Sequence, residues 1–295
     1  MCKKIIYALG FFDGVHLGHQ ALLAECCRLA EENGCAAAAV TFTSHPDGLV
    51  FGKAPALLNT TEDKARILSA YGMENVLALP FDETLMSTPW SEFLEALIAM
   101  GAAGFVCGDD FRFGAKGEGT AKKLAAFCAE RNLPHAIVPE QVLDGERISS
   151  SRIRACLEQG DLDQANRLLG HPMMLTGTVQ AGKQLGRTLG FPTANLLLPE
   201  DLIVPRFGVY ACGVSVDEDV YFAVVNIGTR PTVDGNGITI EAHLLDFDGD
   251  LYGKEISVAF YKFLRPEQKF ASLEELQKEI QKNACETRIF FEKSL

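Results

Sequence analysis

No stretch of this sequence stays apolar long enough to cross a bilayer. The longest weakly polar run, Ala96 to Gly108, falls short of the ~20 residues a spanning helix needs and is broken by glycines. The N-terminus, MCKKIIYALGFFDG, starts basic but reaches Asp13 without a cleavable small-residue site, so a cytoplasmic, unexported protein with no membrane partner is expected. C-x-x-C pairs and Cys/His ligand spacings are missing as well. The nine cysteines stand alone apart from Cys26-Cys27, which suits free thiols in a reducing compartment rather than a disulfide framework. Positive charge is in short supply: 27 Lys and Arg face 39 Asp and Glu, and the net charge of -12 would repel a nucleic-acid backbone. Small anionic ligands remain compatible with that total where glycine, histidine and arginine cluster. G-x-x-x-x-G-K-[ST] and G-x-S-x-G are both absent, which removes a P-loop mechanism and an elbow-type serine nucleophile. With 47% hydrophobic residues, disorder and collagen-like repeats are excluded too.

The length suits two domains at the usual ~150 residues each. From residue 3 to about 140, short apolar runs (IIYAL, CAAAAVTF, NVLALP, GFVCG, HAIVP) alternate with helix-period segments such as HQALLAECCRLAEEN and TAKKLAAFCAERN. That alternation predicts an α/β domain with a doubly wound parallel sheet. Thr88-Pro89 ahead of WSEFLEALIAM reads as an N-cap followed by a first-turn proline. After the helical patterns SSRIRACLEQG and DLDQANRLLG the texture changes at His171-Pro172. LTGTVQAG, GVYACGVSV, VYFAVVNIG, ITIEAHLLDF and EISVAFYKF alternate in period two, as expected of a small antiparallel β-barrel or sandwich. Ser272 and Glu275 form a capping box for a C-terminal helix. The expected domains are therefore 1–170 and 171–295.

The densest chemical signal is GFFDGVHLGH, where the first strand turns into the first helix. Gly14 and Gly18 leave room for a ligand, and a helix N-terminus offers free N–H groups to phosphate. His16 and His19, three apart, share one helix face and can hold a triphosphate or its developing charge. The plain alternative is a glycine turn with two surface histidines. Against it, Thr43-Ser-His-Pro46, Gly108 to Gly114 and Arg147 to Arg154 all follow strands at their carboxyl ends, where open α/β sheets bind ligands. Ser150, Ser151 and Arg154 at a helix start could grip a second substrate's phosphate or a leaving pyrophosphate. With no nucleophile in view, direct attack on the α-phosphorus of ATP, assisted by Mg²⁺, is the expected chemistry.

In the second half, Gly186-Arg-Thr-Leu-Gly-Phe-Pro-Thr-Ala-Asn195 reads as a shaped loop, helped by Gly182, Gly186, Gly190 and Pro192. Thr193 and Asn195, two apart in extended chain, point the same way and offer neutral oxygens to Mg²⁺ and phosphate. Period two in ITIEAHLLDF puts Ile238, Ile240, Ala242 and Leu244 on one face and Glu241 on the other, where it could accept a hydroxyl proton.

GFFDGVHLGHQ, GDDFRFG and ISSSRIR resemble the nucleotidyltransferase motifs of the bacterial bifunctional riboflavin kinase/FMN adenylyltransferase (FAD synthetase) family. GRTLGFPTANL, GVYACGV, NIGTRPT and EAHLLDFDGDLYGK resemble its flavokinase motifs. The resemblance implies two Mg²⁺-dependent steps with riboflavin, FMN and ATP as small-molecule partners: phosphorylation of riboflavin to FMN in the barrel, then adenylylation of FMN to FAD in the N-terminal domain. It implies that Gly10, Phe12, Asp13, Gly14, His16, Gly18, His19, Arg147, Ser150, Ser151 and Arg154 bind ATP for adenylyl transfer. Asp110 would lie near the flavin, Gly182, Gly186, Thr193 and Asn195 would bind Mg-ATP in the kinase, and Glu241 would be its base. Phe11 stands where the family often has Asn, Ser44 where TF-x-P-HP is usual, and Ser151 where Thr is common, keeping the hydroxyl. The rival readings are another small-molecule nucleotidyltransferase with a regulatory barrel and a non-catalytic flavin-binding protein. Oligomeric state is left open, a monomer being compatible with the chain.

Overall fold

The computed structural model describes residues 3–180, 191–232 and 235–294, so Gly182 and Gly186 lie outside the described residues. Packing divides the chain into two compact units, Met1–Arg152 and Ile153–Leu295.

The first unit is built on a five-stranded sheet. Its strands are β1 (Ile5–Leu9), β2 (Ala36–Phe42), β3 (Asn75–Leu79), β4 (Ala102–Gly108) and, after the two-residue ladder of β5 (Arg112–Phe113) with β6 (Gly119–Thr120), β7 (His135–Val138). Every pairing in the sheet is parallel, in the order β3-β2-β1-β4-β7. Strand β2, AAAAVTF, is buried at every position, the near-continuous apolar run expected of a parallel strand covered on both faces. Tyr7, Leu9, Val40, Phe105 and Cys107 from the strands pack against Phe93, Leu94, Leu97, Leu124 and Phe127 from the helices Trp90–Ala99 and Ala121–Glu130. Each such fully buried side chain contributes ~1.5–3 kcal/mol by leaving water. The chain runs outward one way from β1 through β2 and β3, then returns to β4 on the other side. The winding direction therefore reverses between β1 and β4, and a crevice opens at their carboxyl ends.

One expected cap is displaced. The helix Trp90–Ala99 has Pro89 in the N-cap position without a side-chain bond, while the Thr88 hydroxyl donates to the Thr84 carbonyl at 2.8 Å and helps close the preceding helix, Glu83–Ser87. Two short helices in succession compete for the same threonine, and the nearer carbonyl has it.

A second small ladder, β8 (Val142–Leu143) with β9 (Glu146–Arg147), precedes the helix Ser150–Gln159, which starts just before the division between units. In the second unit the helix Leu162–Leu169 buries Leu162, Ala165, Leu168 and Leu169 and ends at Gly170, whose φ of 74° is the left-handed C-cap that glycine adopts without strain. A closed antiparallel barrel follows in the order β10-β11-β14-β13-β12-β15. Its strands are β10 (Met173–Gln180), β11 (Ala194–Leu197), β12 (Gly208–Val216), β13 (Asp219–Thr232), β14 (Gly235–Leu244) and β15 (Glu255–Arg265). Five of these match the period-two segments. The sixth, β11, grows directly out of the Pro192-Thr193 loop and closes the barrel between β10 and β14. Ile240, Ala242 and Leu244 are buried as their alternation requires, whereas Ile238, near the start of β14, is 52% exposed. The closing helix, Leu273–Ser294, packs on β12 and β13. Its start is fixed by the Ser272 hydroxyl, which accepts from the Glu275 N–H at 3.2 Å, while the Glu275 carboxylate accepts from the Ala271 N–H at 3.0 Å.

Candidate functional site

At the end of β1 the chain makes a tight turn in which three residues adopt positive φ: Phe12 at 56°, Gly14 at 79° and Val15 at 40°. A β-branched valine in that region is strained by ~1–3 kcal/mol, so the surroundings must hold it there. Three bonds do so. The Asp13 carboxylate, itself buried, accepts from the Leu58 N–H at 2.9 Å. The Asp13 carbonyl accepts from the Ser150 hydroxyl at 2.9 Å, which ties the start of the ISSSR helix to the glycine turn. The Phe11 carbonyl accepts from the Thr41 hydroxyl at 2.7 Å.

The turn delivers His16 to the N-cap of the helix Leu17–Glu32, where its Nδ1 accepts from the His19 N–H at 3.4 Å. An Nδ1 that accepts carries no proton, so His16 presents Nε2–H. The two imidazoles stack with centroids 3.7 Å apart and planes 12° from parallel, and Phe12 stands edge-on to His19 at 5.3 Å. His19 Nδ1 is buried and unpartnered. Burial, then the charges of His16 and Lys64, hold His19 well below the usual imidazole pKa, so it is neutral. Two imidazoles stacked at a helix N-terminus, His19 among them neutral, present N–H groups suited to phosphate oxygens.

Arg147 forms ion pairs with Asp110 and, at 2.7 Å, with Glu140. Asp110 is half exposed and sits just beyond β4, on the far side of the crevice from β2. Arg152 donates to the carbonyls of Leu143 and Glu146, both at 3.1 Å, and stiffens the approach to the helix. Gly10, Phe12, Asp13, Gly14, His16, Gly18 and His19 are thus gathered in one turn with Ser150 bonded to it. Ser151 is exposed one residue further on, and Arg154, one turn along the same helix, is buried and belongs by packing to the second unit.

Sequence reasoning missed Lys64. It lies on the helix Thr61–Ala70 at 2% exposure, donates to the Thr41 hydroxyl at 3.4 Å and to the Phe42 carbonyl at 3.2 Å, and covers the Phe11 ring at 4.0 Å. A lysine in TEDKARILSA reads as solvated, and no local signal marks it otherwise.

In the barrel, register brings the other candidates together. Asn195 on β11 pairs with Glu241 on β14, which pairs with Asn226 on β13, giving a polar row across three strands. Glu241, Asn226 and Thr193 line a cavity of about 290 Å³ bordered by Phe191, His243, Arg265 and the closing helix. Thr193 also lines a neighbouring cavity of about 470 Å³ that includes Asp248, Asp250 and Tyr252. The threonine therefore lies on the border of both cavities. His243 is fixed by its Nδ1 contact with the Pro192 carbonyl at 2.9 Å and by Phe191 standing edge-on to its ring. Asn226 was not singled out from sequence, although it opens the NIGTRPT stretch.

A hard divalent cation needs oxygen donors and keeps several waters. The Thr193 hydroxyl and Asn195 amide oxygen are such donors, while the described residues hold no cluster of three or more His, Cys, Asp or Glu.

Comparison with known proteins gives a consistent picture. The FAD synthetase family model matches residues 2–152 and the riboflavin kinase family model residues 169–291. The chain is 37% identical to the bifunctional riboflavin kinase/FMN adenylyltransferase of Listeria monocytogenes, covering 98% of this chain and 93% of that one. It is 38% identical to the protein of the same name from Escherichia coli K12, covering 97% and 92%. A solved structure of a macrolide-efflux protein from Streptococcus pneumoniae superposes with a TM-score of 0.86 at 30% identity, covering 98% and 95%. Among the described residues of the present chain, no helix is long and apolar enough to cross a membrane.

Proposed function

The chain belongs to the bifunctional riboflavin kinase/FMN adenylyltransferase family, and from that premise we propose how its residues divide the two reactions. It is an enzyme that phosphorylates riboflavin to FMN with ATP and adenylylates FMN to FAD. The observation that carries the division of labour is that each family match falls on a fold with its own polar site. We set the functional boundary at Gly170, giving 1–170 to adenylyl transfer and 171–295 to the kinase. The left-handed stop at Gly170 and the start of the riboflavin kinase match at residue 169 support it, although packing divides the chain earlier, at Arg152/Ile153.

In the kinase, the ribityl hydroxyl of riboflavin attacks the γ-phosphorus of ATP, the bond from that phosphorus to the β,γ-bridging oxygen breaks, and ADP leaves. Glu241 takes the hydroxyl proton as the new P–O bond forms, with Asn226 and Asn195 flanking it in the row. Thr193, lining both cavities, positions the transferring phosphoryl between them. The cation of this family is divalent; we assign it as Mg²⁺ held by Thr193 and Asn195, where it offsets phosphate charge when bound.

In the adenylyltransferase, a phosphate oxygen of FMN attacks the α-phosphorus of ATP and pyrophosphate leaves. His16 and His19 donate Nε2–H to phosphate oxygens, and the free N–H groups of the helix start add to them. Ser150, Ser151, Arg147 and Arg154 complete the phosphate site, and Asp110 orients the flavin. The cell compartment is proposed as the cytoplasm. The test is to incubate each variant separately with riboflavin or FMN plus Mg-ATP and resolve the flavins by chromatography. Glu241→Gln stops FMN formation and leaves FMN-to-FAD conversion intact, and His19→Ala does the reverse; loss of both activities in either variant sinks the two-site assignment.

A further inference from the structure

A buried lysine amine is costly, and Lys64 is buried near the equally buried carboxylate of Asp13 in the glycine turn. Its amine is wedged between the carboxyl ends of β1 and β2, with Thr41 Oγ1 and the Phe42 carbonyl as acceptors and the Phe11 ring beneath it at 4.0 Å. Thr41 passes the interaction on: the hydroxyl that accepts from Lys64 donates to the Phe11 carbonyl at 2.7 Å. Phe11 immediately precedes the strained stretch from Phe12 to Val15 that seats His16. The chain Lys64–Thr41–Phe11 thus ends on the backbone that must be held against its own preference.

We propose that Lys64 is a positioning residue for adenylyl transfer, its ammonium bracing the Phe11–Val15 turn through Thr41 and supplying the positive charge beside which His16 and His19 act as donors. The proposal deepens the reading of the first unit as the adenylyltransferase and rests on it. Two electrostatic facts agree. Lys64 is one of the charges that hold His19 low, so its cation favours the neutral imidazole. Asp13, in the turn itself, opposes the deprotonation of Lys64. Asp13 and His19 are the titratable groups of the turn and the first helix that face the amine. The strand ends bring Phe11, Thr41 and Phe42, with His45, 3.7 Å from the Asp47 carboxylate, standing edge-on to the Phe11 ring; β3, packed against the same helix, carries no titratable side chain; and on that helix Asp63 pairs with Arg66 at 3.2 Å. Burial draws the Lys64 amine down to about 8. A cation with that pKa predominates at neutral pH and is lost as pH rises through it, and the brace and the charge go with it.

The test compares FMN adenylylation and riboflavin phosphorylation between pH 6.5 and 9.5 in the full-length wild type, Lys64→Met and Lys64→Arg. The wild type is expected to lose FAD formation along an alkaline limb centred near the Lys64 pKa of about 8. Lys64→Met, which nearly preserves shape, is expected to lower kcat for FAD formation by about 30- to 100-fold with a smaller change in KM for ATP. Riboflavin phosphorylation in the same chain stays at the wild-type rate. Lys64→Arg keeps a charge that does not titrate, so it retains part of the activity and loses the alkaline limb. Lys64→Met within threefold of wild type, or an alkaline limb unchanged in Lys64→Arg, overturns the proposal. So does a flat wild-type profile, which needs no variant to fold. A wild type that makes no FAD from FMN at any pH contradicts the adenylyltransferase reading itself.

Discussion

Gly18→Ala separates geometry at the phosphate site from stability of the fold. A methyl at Gly18 would sit 3.2 Å from both Cε1 and Nδ1 of the His16 ring, so the imidazole must give way by a few tenths of an ångström. In the first turn of the helix, alanine in place of glycine gains at most ~1 kcal/mol of helix propensity. The displaced His16 Nδ1 weakens its long cap on the His19 N–H, a loss of ~0.5–1 kcal/mol at the low end for helix caps. The two nearly cancel, so the melting temperature moves by no more than ~4 °C. Catalysis has no such compensation. The stacked imidazoles shift together, and if an error of 1 Å costs ~10²-fold, a few tenths costs ~3- to 10-fold in FAD formation. The assay is FMN adenylylation at saturating ATP beside thermal unfolding of the same preparation, with riboflavin phosphorylation as the internal control. FAD formation at the wild-type rate with an unchanged melting temperature would refute the claim that the His16 ring position matters. A fall in both activities would show that the effect is not local to the turn.

Ser150→Ala removes the hydroxyl bonded to the Asp13 carbonyl at 2.9 Å, and FAD formation is expected to fall ~3- to 10-fold, a loss of ~1 kcal/mol, with phosphorylation unchanged. Gly114→Ala tests packing alone: its φ is 70° and a Cβ there would collide with the Trp90 backbone, so the first unit should lose at least ~2 kcal/mol, read by denaturant unfolding; a loss under ~1 kcal/mol contradicts the contact. His19 is held neutral by burial, so the unfolded chain binds the extra proton more readily than the folded one. Stability of the first unit should therefore decline as pH drops below the ordinary imidazole value of ~6.5, and His19→Gln should flatten that decline; equal slopes would contradict it.

Much of this architecture can be read from side-chain periodicity. The parallel sheet follows from short buried runs such as AAAAVTF alternating with amphipathic helices, and the barrel from period-two segments between Gly and Asp turns. What escaped reading depends on contacts distant in sequence. Strand β11 is four residues long and follows Pro192, so its neighbourhood reads as loop until β14 pairs with it. The Thr88 hydroxyl is taken by Thr84 because a second helix ends there, which a pattern centred on the following helix does not reveal. Glu241, Thr193 and Asn195 were visible because alternation fixes which way a strand residue points. That Asn226 completes their row depends on register between β13 and β14. Lys64 escaped for a similar reason. Its partners Thr41 and Phe42 are on β2, more than twenty residues back, and only the assembled sheet turns a helix lysine into a buried cation.

The central claim is that one chain carries two ATP-dependent steps at two separate sites, the first making the substrate of the second. The most direct measurement is a time course of the pure protein with riboflavin and Mg-ATP, with riboflavin, FMN and FAD resolved at each point, alongside the Glu241→Gln variant supplied with either riboflavin or FMN. The account predicts FMN rising and then giving way to FAD in the wild type. In the variant it predicts no FMN from riboflavin but undiminished FAD from FMN. FAD failing to appear from FMN in the wild type, or Glu241→Gln abolishing both conversions, would contradict it.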